Sequence, residues 1–437
     1  MNFKTPLGKT IFETKPISAG CEFVSGYAFK SKDFAESGFP VIKIKNIQNK
    51  QVTLNGDNQF IPKSVITEKL NKFKLTHGDI LIAMTGQGSV GRVGKLVLND
   101  KRVTPYLNQR VGKFVTDPNV LDKDYLYYVI STSAYESLLF AAGSGSGQPN
   151  LSPAIIKGVE IPFPPIKVQE SISKILRDLD EKVVTNVQMN QTLEQMAQAI
   201  FKSWFVDFDP VKAKMNGEQP EGMDAATASL FPDKLVESEL GLIPEGWEVE
   251  PLKNVSRVIN GRAYKNTEFK EEGTPIIRIQ NLTGKGKTVY SDLDLPEDKL
   301  VEHGDLIFAW SATFGPHLWR GPKSIYHYHI WKMDVNEKKF GKYLLFMHLA
   351  RLTGYLKNQG TGSIFTHLTK AIMESQKLVV PSEPIVEAFS KVVTPLFAQI
   401  DSLHKENQVL EQLRDTLLPK LLSGEIELDV AEVNTND

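Results

Sequence analysis

The 437-residue sequence predicts an α+β fold, in which two related globular units are joined by two long helices packed on each other as a coiled-coil-like spacer. Three observations predict it. A long apolar stripe of helical period occurs twice, at an offset of 217 residues. A 22-residue block recurs at an offset of 235. Basic charge collects in two equal portions of the chain, with acid placed between and after them.

The first stripe lies in the stretch from Ile166 to Asp209 and carries Ile172, Leu176, Leu179, Val183, Val187, Leu193, Ala197, Ile200 and Trp204. Steps of three and four keep these side chains on one helical face. The copy, between Glu383 and Glu425, carries Phe389, Val393, Leu396, Ile400, Leu403, Leu410, Leu413, Leu417 and Leu421. One asparagine interrupts each stripe, Asn190 and Asn407. An Asn in an apolar seam must find a polar partner, so it favours one register at some cost in stability. If the helices run antiparallel, the two asparagines can meet at a pseudo-two-fold centre. The seam is therefore expected to be formed by Leu179, Val183, Asn190 and Leu193 against Leu396, Ile400, Asn407 and Leu410. Each helix is about 40 residues and so about 60 Å long, the length of a spacer rather than of a core helix in one compact domain.

The globular units are copies of each other. Residues 26–47 recur as 261–282, with Gly26/Gly261, Ala28/Ala263, Lys30/Lys265, Phe34/Phe269, Glu36/Glu271, Gly38/Gly273, Pro40/Pro275, Ile42/Ile277, Ile44/Ile279 and Asn46/Asn281 identical. Each block reads as a glycine-led turn, a basic-aromatic loop and an alternating strand, Pro40 to Ile47 or Pro275 to Leu282. His77-Gly78-Asp79 recurs as His303-Gly304-Asp305, a turn feeding a buried strand. Gly143 to Leu151 recurs as Gly360 to Leu368, and a helix near Asp122 to Leu139 has its partner near Lys339 to Leu356. The chain thus divides into a unit (1–165), a helix (166–206), an acidic linker (207–245), a unit (246–382), a helix (383–424) and an acidic tail (425–437).

Net charge is -1, yet residues 1–165 and 251–382 each carry +7, residues 207–250 carry -8 and the tail from Glu425 carries -5. Two equally basic units look like two faces for a polyanion. No run of 18 uncharged apolar residues exists, so no membrane span is expected. The segment from Met1 to Thr10 has no apolar core and does not read as a signal peptide. The single cysteine, Cys21, excludes an intramolecular disulfide framework, suits a cytoplasmic protein and is expected to be inert.

No catalytic constellation emerges. Gly86-Gln87-Gly88-Ser89-Val90-Gly91 matches a dinucleotide-binding pattern, but Arg92 to Val97 alternate like a strand, no acidic residue lies near position 111, and the copy at Ser311 to Gly315 lacks the glycines. It reads as a glycine turn, with Arg92 available to a phosphate. His327-Tyr328-His329, with His317 and His303, lacks the cysteines and regular third ligand of a metal site and reads as surface or DNA-facing histidines. Asp209-Pro210-Val211 is not the Asn/Asp-Pro-Pro-aromatic site of a DNA adenine methyltransferase. No cofactor is expected to be held by the chain itself.

Three segments resemble the specificity subunits of type I restriction-modification systems: Ile200-Phe201-Lys202-Ser203-Trp204-Phe205-Val206-Asp207-Phe208-Asp209-Pro210, Ser238-Glu239-Leu240-Gly241-Leu242-Ile243-Pro244-Glu245-Gly246-Trp247, and Leu417-Leu418-Pro419-Lys420-Leu421-Leu422-Ser423-Gly424-Glu425. The resemblance covers nearly the whole chain. It implies two pseudo-symmetric target recognition domains, each reading one half of a split double-stranded DNA site, held apart by two antiparallel helices. It also implies that two methyltransferase subunits dock on those helices and that restriction subunits join. One departure is that the first unit has no counterpart of Pro244 to Trp247. A stand-alone methyltransferase or fused restriction enzyme is the alternative, and a scaffold that binds no nucleic acid is a third reading. Methylation by the chain without a partner would favour the enzyme, and salt-sensitive DNA binding excludes the scaffold.

Base readout is expected from loop side chains, since Arg or Lys can engage guanine and Asn or Gln adenine. The candidates are Lys30, Lys43, Lys45, Gln87, Arg92 and Arg110 in the first unit, with Lys265, Arg278, Gln280, Trp310 and Arg320 in the second. Lys30 and Lys265 are shared by copies that must read different sequences, so they suit phosphate contacts.

Overall fold

Asp79 and Asp305, the acids of the repeated His-Gly-Asp turn, set the same local structure twice. In the computed structural model the Asp79 carboxylate accepts from the Thr76 backbone N–H at 2.8 Å and pairs with Lys113 at 2.7 Å. Asp305 likewise accepts from Glu302 at 2.8 Å and pairs with Lys332 at 2.8 Å. Each turn feeds a fully buried strand, Ile80–Ala83 or Leu306–Ala309. The structure describes residues 3–54, 57–143, 149–284, 286–358 and 368–428. The repeated loops Gly143 to Leu151 and Gly360 to Leu368 lie largely outside the described residues, as does the tail from Asp429.

The chain forms two compact units, residues 1–185 with 406–437, and residues 186–405. In the first, a six-stranded sheet has the order Cys21–Ser25, Val111–Thr116, Ile80–Ala83, Val93–Leu96, Gln51–Val52, Ile47–Gln48, and a three-stranded sheet has the order Tyr106–Leu107, Phe39–Ile42, Gln59–Ile61. In the second, the corresponding sheets run Ser256–Asn260, Ile330–Val335, Leu306–Ala309, Gly315–Leu318 and Val289–Ser291, Thr274–Ile277, Ser324–Tyr326, Leu300–Val301. The helix expected near Asp122 to Leu139 is two, Lys123–Ile130 and Ser133–Gly143. Its partner is one helix, Lys342–Asn358. Cys21 is buried and its thiol is pushed up to about 12 by that burial, the inert state expected of it.

The strands expected to run to Ile47 and Leu282 stop earlier, at Ile42 and Ile277. The repeated asparagine is the cause. Asn46 Oδ1 accepts from the Lys43 N–H, and Asn281 Oδ1 from the Arg278 N–H, both at 2.9 Å, and each turns the chain into one helical turn. In each the asparagine stands at the third helical position and satisfies the N–H of the residue that precedes the turn, the reciprocal half of a capping box.

The first unit also begins with a hairpin, Phe3–Thr5 with Gly8–Thr10, that copies Leu235–Ser238 with Gly241–Pro244. Thr5 Oγ1 donates to Gly8 O at 3.0 Å and accepts from Leu7 N–H at 3.2 Å. Ser238 Oγ does the same to Gly241 O at 2.7 Å and from Leu240 N–H at 3.1 Å. The repeat therefore reaches the N-terminal residues even though the Pro-x-Gly-Trp entry does not.

The long helices are α1 (Ile166–Lys202) and α2 (Glu383–Ser423). α1 continues into a π-helical turn, Ser203–Asp207, closed by Phe208 at φ 56. In the first unit Ile172 and Leu176 share a core with Leu418, Leu421 and Leu422, while Asp180 meets Arg414 at 2.8 Å and Lys182 meets Glu406 at 3.3 Å. In the second unit Trp204 and Phe205 pack on Phe389, with ring centroids 5.8 and 4.8 Å apart. Residue numbers rise on one helix as they fall on the other, so the helix segments are antiparallel. Of the expected seam, Asn190, Ile400 and Asn407 are buried and Leu179, Val183, Leu193, Leu396 and Leu410 half-buried. Val187 and Leu413 are exposed instead, at 42% and 43%. Asn186, one step before Val187, takes its place in the buried face, because 3.6 residues per turn drifts against a strict heptad. The Asn190 amide has no hydrogen-bond partner among the described residues, so the polar partner expected for it is not found.

Candidate nucleic-acid interface

Each unit holds the same crossing of two chain segments at the edge of its second sheet, and in the first unit a small pocket lies against it. The pocket encloses about 240 Å³ between Phe29, Phe34, Lys43, Ile44, Asn108, Gln109 and Arg110. Its backbone frame is that crossing. Asn108 N–H donates to Ile42 O at 3.2 Å, Gln109 N–H to Tyr27 O at 2.9 Å and Val111 N–H to Asn108 O at 2.9 Å. In the second unit His327 N–H donates to Ile277 O at 2.9 Å, Tyr328 N–H to Arg262 O at 3.0 Å and Ile330 N–H to His327 O at 2.9 Å. The approach is so close that a Cβ on Gly26 would lie 2.0 Å from Asn108 O, and one on Gly261 2.3 Å from His327 O. This contact explains why both copies of the repeat open on glycine.

A cation over an aromatic ring is common to both frames. Lys43 Nζ lies 4.6 Å from the Phe34 ring centroid, and the Arg278 guanidinium carbon 5.7 Å from that of Phe269. Burial, followed by the nearby charges of Lys45 and Arg110, lowers the Lys43 pKa from its ordinary value. Lys43 also donates to Gln59, and Lys45 is paired with Asp57 at 2.6 Å. Arg278 Nη2 donates to Lys287 O at 2.5 Å.

The three residues after the crossing differ between the units. The first carries Asn108, Gln109 and Arg110, the last two exposed. The second carries His327, Tyr328 and His329, whose tilted rings cluster with centroids 4.4 Å (His327 to Tyr328), 4.0 Å (Tyr328 to His329) and 4.9 Å (His327 to His329) apart. Trp310 braces them, donating from Nε1 to Tyr328 O at 2.8 Å and lying 5.0 Å from the His329 ring. Burial lowers the pKa of both histidines, and for His327 the His329 and Arg278 charges add to it, so both are neutral at pH 7. Beside them, Arg262 donates to Glu268 at 2.6 Å and lies over the Tyr264 ring. Arg262 Nη1, the Tyr264 hydroxyl and Arg278 Nε are buried with no hydrogen-bond partner among the described residues.

The structure brings Lys43 and Arg110 together in the pocket of the first unit, and Arg278 and Trp310 beside the His327–His329 turn of the second. Gln87 is exposed on the glycine turn, whose Gly86 packs near Ile44. Lys30 and Lys265 are exposed, each donating its backbone N–H at 2.7 Å to the acid three residues on, Asp33 or Glu268. Gln280 is exposed and packs on Gly286. Two candidates lie apart from both turns. Arg92 acts on Glu136 of the Ser133–Gly143 helix, and Arg320 is drawn to Glu194 of α1 and Asp401 of α2. Of the other histidines, His303 pairs with Asp401 at 2.9 Å, away from the His327 cluster. Asn108, Gln109 and Tyr328 were not among the sequence candidates, and His327 and His329 were read as surface or DNA-facing histidines; the shared Lys113/Lys332 four residues after Gln109/Tyr328 is the signal that aligns the two segments.

Two basic α+β domains, each with a cation held over an aromatic ring beside an exposed turn, make a duplicated protein with two matched polar surfaces. The family model described as type I restriction modification DNA specificity domain matches residues 12–195 and again residues 244–412. The chain belongs to that family and is a type I specificity subunit with two DNA specificity domains. It is 28% identical over 409 residues to the type I restriction enzyme HindI specificity subunit of Haemophilus influenzae, spanning 81% of this chain and 88% of that one. To the MjaIX specificity subunit of Methanocaldococcus jannaschii it is 29% identical over 332 residues, spanning 71% and 72%. The fold is shared with the S subunit of a type I restriction-modification system from M. genitalium, at a TM-score of 0.56 and 17% identity over 94% of this chain and 96% of that one.

Proposed function

We propose that this subunit reads a bipartite double-stranded DNA target, one half-site per domain, and carries two methyltransferase subunits on α1 and α2, with restriction subunits joining the assembly. It is itself non-catalytic, binds no cofactor and works in the cytoplasm. The observation that carries the reading is the pair of matched turns, Asn108–Arg110 and His327–His329. They are alike in backbone frame and in the cation over an aromatic ring beside them, but different in the residues they offer, as two readers of unlike sequences require. The docking role is supported by apolar side chains exposed along both helices: Val184, Val187, Met189 and Met196 on α1, with Val392, Val409 and Leu413 on α2. Among the described residues no helix is long and apolar enough to cross a membrane.

Methylome sequencing of cells expressing the chain with its methyltransferase tests this. The expected result is one split motif with a fixed gap. An undivided motif, or methylation by the purified chain alone with S-adenosylmethionine, would overturn it.

A further inference from the structure

We infer that the base-reading element of each domain is one three-residue turn, Asn108–Arg110 in the first and His327–His329 in the second. The inference rests on the bipartite reading above and narrows it to positions. The two turns occupy the same place: each follows a short strand, each is pinned by the same three backbone hydrogen bonds, and each is crossed by a glycine that admits no side chain. Most of the frame around the turn is common to the domains, from the Phe34/Phe269 platform with its cation to the Asn46/Asn281 turn and the Asp79–Lys113/Asp305–Lys332 pair, with the Trp310 brace confined to the second. What the turn displays is not common. A frame shared by readers of different sequences suits the sugar-phosphate backbone, which is alike everywhere, and the part that differs on that frame suits the bases.

The chemistry of each turn limits what it reads. Gln109 and Arg110 are exposed side chains with bidentate geometry, Gln for the adenine N6/N7 edge and Arg for guanine O6/N7. The second turn offers two neutral imidazoles, each with one donor and one acceptor, clustered with a tyrosine that is 41% exposed. Its aromatic edge suits the apolar contact made by a thymine methyl group, and no charged side chain takes part. Trp310 holds that cluster through its hydrogen bond to Tyr328 O, so it is a positioning residue.

The test is methylome sequencing of cells carrying the chain with its methyltransferase, comparing wild type with Gln109→Ala, Arg110→Ala and Tyr328→Ala. All three side chains are exposed, and thermal denaturation of the purified variants checks that each folds. Gln109→Ala and Arg110→Ala should each relax one base pair of one half-site, with a roughly 5- to 100-fold loss of preference there. Tyr328→Ala should relax the other half-site and leave the first untouched. Folded variants that methylate the wild-type motif with unchanged preference would overturn the inference. So would a uniform loss across sequences, which is the signature of phosphate contact. If wild type itself yields no split motif, the bipartite reading fails before the turns are tested, so the two failures are distinguishable. Transplanting the second turn onto the first frame (Asn108→His, Gln109→Tyr, Arg110→His) is the complementary experiment. A new first half-site beside an unchanged second one supports the assignment, and an unchanged first half-site overturns it.

Discussion

If α1 and α2 set the distance between half-sites, lengthening both by four residues should lengthen the gap. The insertion has to avoid Phe201, Trp204 and Phe205, which are buried in the second core, and fits best where the compact units divide, between Thr185 and Asn186 and between Lys405 and Glu406. Four helical residues add about 6 Å and a rotation about 40° beyond a full turn, so the apolar faces stay nearly aligned. At about 3.4 Å per base pair, 6 Å is at most roughly two base pairs. The pairs Asp180–Arg414 and Lys182–Glu406 on one side of the insertion, and Phe205–Phe389 on the other, are each untouched when both helices are extended together. Extending α1 alone leaves its partner about 6 Å short, so that variant should lose thermal stability and methylation together. Methylation mapping of the paired variant should return the same two half-sites with a gap one or two base pairs longer. An unchanged gap, or altered half-sites with the old gap, would refute the ruler and leave the helices as docking surface only.

Three further outcomes follow. Lys30→Ala and Lys265→Ala should weaken binding to all duplexes alike and lower the salt slope of binding by about one each. A changed recognition sequence would contradict the phosphate assignment. Val187→Asp with Met189→Asp, both exposed at 42% and 48%, should abolish co-purification of the methyltransferase while leaving the melting temperature of the free chain within a few degrees. Retained co-purification would remove this face of α1 from the docking surface. His348 is packed between Phe201 and Phe340, and burial, then Arg351, depresses its pKa to about 3. The unfolded chain takes up this proton near pH 6.5 and the folded chain does not, so the contribution is whole above pH 6.5 and is lost as pH falls toward 3. Between pH 6.5 and 4.5 the loss is about 2 kcal/mol, and His348→Phe should flatten the denaturation midpoint against pH over that window. An equal slope in both proteins would refute it.

How much of this was legible in the sequence depends on how local each signal is. The two long helices were legible because a 3.6-residue period repeats over ten turns within one stretch. The duplication was legible because residues 26–47 and 261–282 align without a gap. Composition disclosed the two basic units, and the motif segments at the ends of the helices disclosed the family. Cys21 was legible as inert for the same reason, one apolar neighbourhood in one chain.

The common place of Asn108–Arg110 and His327–His329 was only faintly legible. From Gly26 to Gly261 the offset is 235, but from Asn108 to His327 it is 219, because the intervening loops differ in length. Asn-Gln-Arg and His-Tyr-His share no residue, and in the sequence only Lys113/Lys332, four residues after Gln109/Tyr328, aligns them. The pairing of Leu107 with Ile42 and of Tyr326 with Ile277 brings them to the same place on the same frame. The early ends of the strands at Ile42 and Ile277 were hidden too, since alternation continues in the sequence while the asparagine at position 46 or 281 bends the backbone. Arg320 looked like the other loop cations until folding set it against Glu194 and Asp401. Sequence periodicity records which face of an element is apolar. Which loop side chains end in one pocket depends on hydrogen bonds between residues tens of positions apart, and those form only when the sheets close.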